Sequence, residues 1–273
     1  MKPEKSACRR AGLRRLAILA AVLYTFSAGA HADAALEVPL AFVGPTDGTA
    51  YHGARQGLDE AQLQGEFLGQ RYRLDAAPER AVAIIAALPA SELTALAEAH
   101  PGVPVLNVAA SDDALRDQCR PTLFHVLPSA RMASDAVAQW RRAHPEASVQ
   151  ARAWHPAFEK YAAAQLNKRY SEQFKAPMDD QAWAGWAAVK LLSDTVARVQ
   201  DSSAATLLDA LRSRLAFDGQ KGVDMSFRAD GQLRQPLLLV DGERLVGEAP
   251  VRGVVDIEDL DSLGPSRCKP TTH

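Results

Sequence analysis

Between residues 38 and 143, short apolar runs alternate with amphipathic stretches, and this alternation constrains the fold more than any other feature of the chain. Residues 38–43 read VPLAFV and stop at Gly44-Pro45, while 81–87 read AVAIIAA. Two further runs lie at 103–108 and 123–127. A run apolar at nearly every position is expected of a strand covered on both faces. Helices are predicted between the runs at 51–64, 92–99 and 112–117, and from Ser129 to about Ala143. Asp47-Gly48-Thr49, Ser91 and Ser129 are placed to cap three of them. Strand, helix, strand in alternation predicts an α/β fold built on a parallel sheet with right-handed crossovers. One link departs from the pattern. A strand at 70–75 is followed so soon by the run at 81 that no crossover helix fits between Asp75 and Ala81, since such a crossover takes about a dozen residues. Either these two strands pair differently or a helix has been lost.

Residues 154–192 hold three of the four tryptophans. Two helices are predicted there, broken at Lys175-Ala176-Pro177. The first carries Phe158, Tyr161, Leu166, Tyr170 and Phe174, and the second carries Trp183, Trp186, Val189 and Leu192 behind Asp179-Asp180. That spacing gives each helix one apolar face, so the stretch is a packing centre. A further helix over 204–216, capped by Ser202-Ser203, leads to a loop at 217–222. Strands are expected at 223–227 and 235–240 around the turn Asp230-Gly231, then a tight hairpin at Asp241-Gly242 into Leu245-Val246.

The N-terminus reads as an address. Lys2, Lys5, Arg9, Arg10, Arg14 and Arg15 precede an apolar run at 16–26, too short for a membrane span, and then Ala30-His31-Ala32. This pattern predicts a signal peptide over 1–32 cleaved after Ala32, delivery to the periplasm and no stable membrane insertion of the mature chain; the alternative is an anchoring helix. Without residues 1–32 the chain has 25 Lys and Arg against 32 Asp and Glu, a net charge of −7, which argues against nucleic acid as a partner. Two cysteines remain, Cys119 and Cys268. In an oxidising compartment they are a disulfide candidate, the alternative being two buried free thiols. A bridge would pin an acidic tail containing Asp256, Glu258, Asp259 and Asp261.

Motifs for chemistry are sparse. His155 and Glu159 stand at i, i+4 but have no third ligand nearby, and the pairs Asp112-Asp113 and Asp179-Asp180 fall at helix starts, where capping explains them. There is no Gly-rich phosphate loop, G-x-S-x-G elbow or zinc motif, so neither an enzyme nor a bound cofactor is expected. Polar residues at the C-terminal ends of the strands remain. In an open α/β sheet the ligand crevice lies there, and Asp47, Thr49, Asn107, Ser111 and Ser129 sit beside helix N-termini that could hold an anionic group. For each of them the alternative is a simple helix cap.

The order of elements, together with four stretches, resembles a type I periplasmic binding protein of the leucine/isoleucine/valine-binding group. The stretches are Gly65-Glu66-Phe67-Leu68-Gly69-Gln70-Arg71, residues 106–116 with Cys119-Arg120, residues 125–138, and 153–190. More narrowly, the chain is similar to ABC-transporter substrate-binding proteins associated with pyrroloquinoline-quinone-dependent alcohol dehydrogenase systems. The resemblance implies two lobes closing on a small-molecule ligand, an amino acid or small organic acid. It also implies an ABC permease or a periplasmic dehydrogenase as partner. An alternative is a degenerate binding-protein fold that serves as an interaction partner without ligand. The chain departs from the family at Asp75–Ala81 and at Arg142–Trp154, where most of a second lobe is missing. The expected organisation is therefore a first lobe at 33–143, a helical segment at 144–216 packed on it, a ribbon at 217–250 as the remnant of the second lobe, and a tail at 251–273. Residues 149–153 could add to that remnant.

Overall fold

The structure, a computed structural model, describes residues 35–269. The expected leader and the cut after Ala32 lie outside the described residues. In chain order the elements are β1 Leu36–Val43, α1 Thr49–Leu68, β2 Gln70–Arg73, β3 Ala83–Ala86, α2 Ala90–Ala99, β4 Val105–Asn107, α3 Asp113–Asp117, β5 Leu123–His125 and α4 Ala130–Ala143. There follow β6 Gln150–Arg152, α5 Ala163–Phe174, α6 Asp180–Val199, α7 Ala204–Ser213, β7 Leu237–Asp241 and β8 Arg244–Ala249.

β1 to β5 form a parallel sheet in the order β2-β1-β3-β4-β5. β3, β4 and β5 are buried at every position, which is why they read as nearly continuous apolar runs, with Asn107 and His125 as the buried polar residues that end β4 and β5. Neighbouring residues serve opposite faces. Leu40, Ile85, Leu106 and Phe124 enter the larger core beneath α1 and α6, while Ala41, Ile84, Val105 and Leu123 face the layer of α2 and α3.

The missing crossover has a geometric explanation. β2 pairs with the first half of β1 (Leu36↔Gln70 to Pro39↔Arg73), and β3 pairs with the second half (Leu40↔Ala83 to Val43↔Ala86). The chain leaves β2 about where β3 must begin, so it crosses β1 without travelling back along the sheet. A single 3-10 turn, Pro78–Arg80, is enough. The crossing is pinned to β1 by Ala76 N–H donating to the Leu40 carbonyl and Val82 N–H to that of Pro39.

α1 and α6 lie in backbone contact. A Cβ built on Gly53 would sit 1.8 Å from the Ala182 carbonyl oxygen, and one on Gly185 would sit 2.0 Å from that of Ala50. Only glycine permits this approach. Trp154 stacks on Trp183 with centroids 5.9 Å apart and planes 10° from parallel, and Lys221 Nζ lies 4.0 Å from the Trp183 ring centre.

A second, antiparallel sheet (β6-β7-β8) carries α4 on one face, with Met132, Ala136 and Trp140 against Leu237, Leu239 and Ala249. Leu238, on the opposite face, enters the core that holds Trp154. Cys119 and Cys268 are joined in a disulfide with Cα atoms 5.7 Å apart. The tail is also gripped by Arg228, whose guanidinium donates to Asp261 and to the carbonyls of Leu260, Leu263 and Gly264.

Several expectations are corrected. The first Trp-rich helix starts at Ala163 rather than near Phe158, because Tyr161 (φ 52°) and Ala162 (φ 68°) are left-handed and end any helix there. Residues 223–227 form isolated bridges rather than a strand, and the segment around Gly231 covers the open edge of β5 instead. His125 N–H donates to the Gly231 carbonyl, and Leu233 N–H to that of His125. Gly231 is required there, with φ 76° and a Cβ position 2.1 Å from the Leu123 oxygen. Ser129, Asp179 and Ser203 cap their helices, but α1 begins at Gly48 and α2 at Pro89, neither with a side-chain cap. Asp113 does not cap its own helix. It accepts from Arg131 N–H at the start of α4, and Asp180 binds Arg152 and Trp154 N–H across to β6.

Candidate functional site

The C-terminal ends of β1, β3 and β4 open onto a cleft of about 480 Å³. Three connections bound it: the one entering α1 (Pro45, Gly48), the one entering α2 (residues 87–90) and the one entering α3 (residues 109–112). Gln181, in the first turn of α6, forms the fourth side. α1, α2 and α3 all begin here without a side-chain cap, so their first-turn N–H groups are left for another acceptor. The helix dipoles favour an anion at this point. None of the described residues lining the cleft is Lys or Arg, and Asp112 contributes a carboxylate on one side.

The loop between β4 and α3 owes its shape to two buried residues. Asn107, at 0 % exposure, accepts from Ala109 and Ala110 N–H and donates to the Ala110 carbonyl. Its amide nitrogen also faces His125 Nδ1 at 3.0 Å, which makes that ring nitrogen the acceptor and leaves the imidazole neutral. Burial, reinforced by the Arg116 charge, holds His125 well below the usual imidazole range. Arg116 reaches beneath the loop to the carbonyls of Ala110 and Asp112, to the Leu127 carbonyl beyond β5, and to Gln232 Oε1. Burial outweighs the attraction of Asp113, Asp230 and Asp112 and lowers this guanidinium to about 10.

The five residues singled out from sequence are placed differently from one another. Ser111 lines the cleft and is exposed; its carbonyl accepts from Ala130 N–H. Asp47, exposed, and Thr49, half-buried, flank the lining residue Gly48. Asn107 lies beneath the cleft with its amide engaged internally. Ser129 is buried, its Oγ accepting from Met132 N–H as the α4 cap. Sequence reasoning passed over Ala87 and Gln181, which also line the cleft. The signal available for Ala87 was positional: a small residue directly after a strand at its C-terminal end. His155 Nδ1 accepts from Ala157 N–H in a local turn, and among the described residues no three His, Cys, Asp or Glu gather as a metal site.

No protein-family model matches the chain and no curated protein matches it. Solved structures do. A branched-chain amino acid ABC transporter periplasmic ligand-binding protein from Burkholderia xenovorans LB400 superposes with a TM-score of 0.66 at 11 % identity, over 85 % of this chain and 99 % of the other. A branched-chain amino acid transporter substrate-binding protein from Streptococcus pneumoniae, in complex with isoleucine, gives 0.59 at 11 %, over 78 % and 98 %. A solute-binding protein from R. palustris in complex with benzoate gives 0.57 at 15 %, over 78 % and 95 %. At these identities the likeness is one of fold.

Proposed function

From the type I periplasmic-binding-protein fold shared with these structures, we propose that the chain is an exported, non-catalytic solute-binding protein for an ABC-type importer. The observation that carries this reading is the convergence of the uncapped N-termini of α1 and α2 on one cleft that also holds the exposed carboxylate of Asp112, at the start of α3. The N-termini suit a carboxylate, and Asp112 suits a cation. A ligand with both charges, an α-amino acid, satisfies the cleft better than a simple acid, whose charge Asp112 would oppose. We assign its orientation to Ser111, in the lining, and to Thr49 and Asp47, which flank the lining residue Gly48. Among the described residues no helix is long and apolar enough to cross a membrane. The finer assignment, service to an alcohol-oxidation system through a permease or a periplasmic dehydrogenase, rests on the sequence stretches quoted above.

The test is a thermal shift of the mature chain against branched-chain amino acids, small neutral amino acids and benzoate, repeated on Ser111→Trp, which fills the cleft. An amino acid should stabilise the parent and not the variant. Stabilisation by none of them, or equal stabilisation of Ser111→Trp, would exclude the reading.

A further inference from the structure

A second cavity, of about 560 Å³, lies at the opposite, amino-terminal end of β5. The Cys119–Cys268 bridge and Pro265 form one wall, and Phe124 and Phe227, packed edge to face at 4.8 Å and almost fully buried, border it from the core side. Five basic residues line it against one acid, Asp261, in a chain whose mature portion is acidic overall. Most of the basic charge has internal work. Arg228 and Arg234 share Asp261, at 2.7 and 2.9 Å, and Arg120 is held by Glu98 at 2.6 Å. Arg212, at the end of α7, is different. Among the described residues its guanidinium meets only the Pro121 carbonyl and no carboxylate, and burial alone lowers its pKa. Arg234 uses its Nε on Asp261 and one terminal nitrogen on Ser226 and the Phe227 carbonyl; its other terminal nitrogen has no protein acceptor among the described residues. Arg212 is solvent-exposed and has no carboxylate partner among the described residues, so its guanidinium is open to an anion that enters the cavity. The guanidinium fork matches carboxylate and phosphate oxygens.

We propose that this cavity is a second binding site, separate from the cleft, for a small organic anion with a carboxylate or phosphate head and an apolar body. Arg212 and Arg234 donate to the head, and the exposed Pro121 and Pro265 with the Cys119–Cys268 bridge pack against the body. The site stands independently of the solute-binding reading, because no residue that lines it also lines the cleft.

Calorimetric titration of the mature chain at low ionic strength with phenyl phosphate, benzoate and inorganic phosphate tests it. Phenyl phosphate or benzoate should bind one to one, more tightly than inorganic phosphate and with no dependence on Ser111→Trp. Arg212→Gln should weaken that binding roughly tenfold, the worth of one charge-assisted hydrogen bond. Arg214→Gln removes the same charge two residues away, from an exposed arginine paired with Asp209, and should leave the affinity unchanged. No binding of any probe overturns the proposal, as does an affinity that ignores Arg212→Gln or falls equally in both variants.

Discussion

Replacing Gly185 by alanine should destabilise the protein even though alanine is the better helix former. The added carbon would lie 2.0 Å from the Ala50 carbonyl oxygen and 3.0 Å from both the Ala50 carbonyl carbon and the Ala54 amide nitrogen. A comfortable carbon-to-oxygen contact needs about 3.3 Å, so α1 and α6 must part by about 1 Å. All three obstacles are backbone atoms, and none can turn aside. Overpacking costs about 1–3 kcal/mol, and a rigid obstacle made of the α1 backbone places this case at the upper end. Helix propensity returns about 1 kcal/mol. The net loss is about 2 kcal/mol, or about 4–8 °C in melting temperature for a chain of this size. Gly53→Ala meets the Ala182 oxygen in the same interface, so helices already parted by one substitution accommodate the other more cheaply. The double variant should lose less than the two singles together. Thermal and urea unfolding of parent, singles and double decide it. A single variant that melts at or above the parent, or a double that loses the full sum, would refute the reasoning.

Cys119→Ser with Cys268→Ser opens a loop spanning a sequence separation of 149. Loop-closure entropy then predicts a loss of up to about 5 kcal/mol in urea unfolding, and thiol labelling of the native mature chain, which lacks Cys8, should find no reactive cysteine. An unchanged unfolding midpoint would contradict this. Stability should also rise with pH on both sides of neutrality. Lys221 is fully buried, and desolvation overcomes the pull of Asp180 and Glu248 to bring its pKa down to about 7. Between about 7 and 10 the unfolded chain holds a proton that the folded chain does not, so the melting temperature should climb across that window in the parent and flatten there in Lys221→Met. Below about 6.5 the same sign applies to His125: acid protonates the unfolded imidazole while the buried one stays neutral, and stability falls.

The sequence carried the parallel sheet clearly because β3, β4 and β5 are covered on both faces and so consist of nothing but core. Caps at Ser129, Asp179 and Ser203 were legible for a local reason: one oxygen meets an N–H three residues on. The division of β1 between two partners was not legible, since strand register depends on residues far away in the chain. The covering of the β5 edge by residues 225–233 was hidden too. It depends on Gly231 fitting against Leu123, and its pattern otherwise imitates a hairpin strand. At the cleft, position was easier to read than role. Ser111 belongs to the lining, but Asn107 and Ser129 spend their polar atoms on shaping loops and helix ends, as polar residues beside strand ends commonly do. Much of the remaining lining is glycine, proline and alanine, which leave little side-chain signature.

The stacked pair Trp154 and Trp183 gives the molecule a built-in optical reporter. Trp154 follows two residues after β6, in the small sheet, whereas Trp183 belongs to α6 beneath the large one. Two nearly parallel indoles at this separation share their electronic excitation, and the shared transition depends steeply on the angle and distance between the rings. Near-ultraviolet circular dichroism therefore reads the placement of one sheet against the other directly, with no label attached. A ligand that draws the sheets together would change that band while leaving the far-ultraviolet spectrum, which counts helices and strands, where it was.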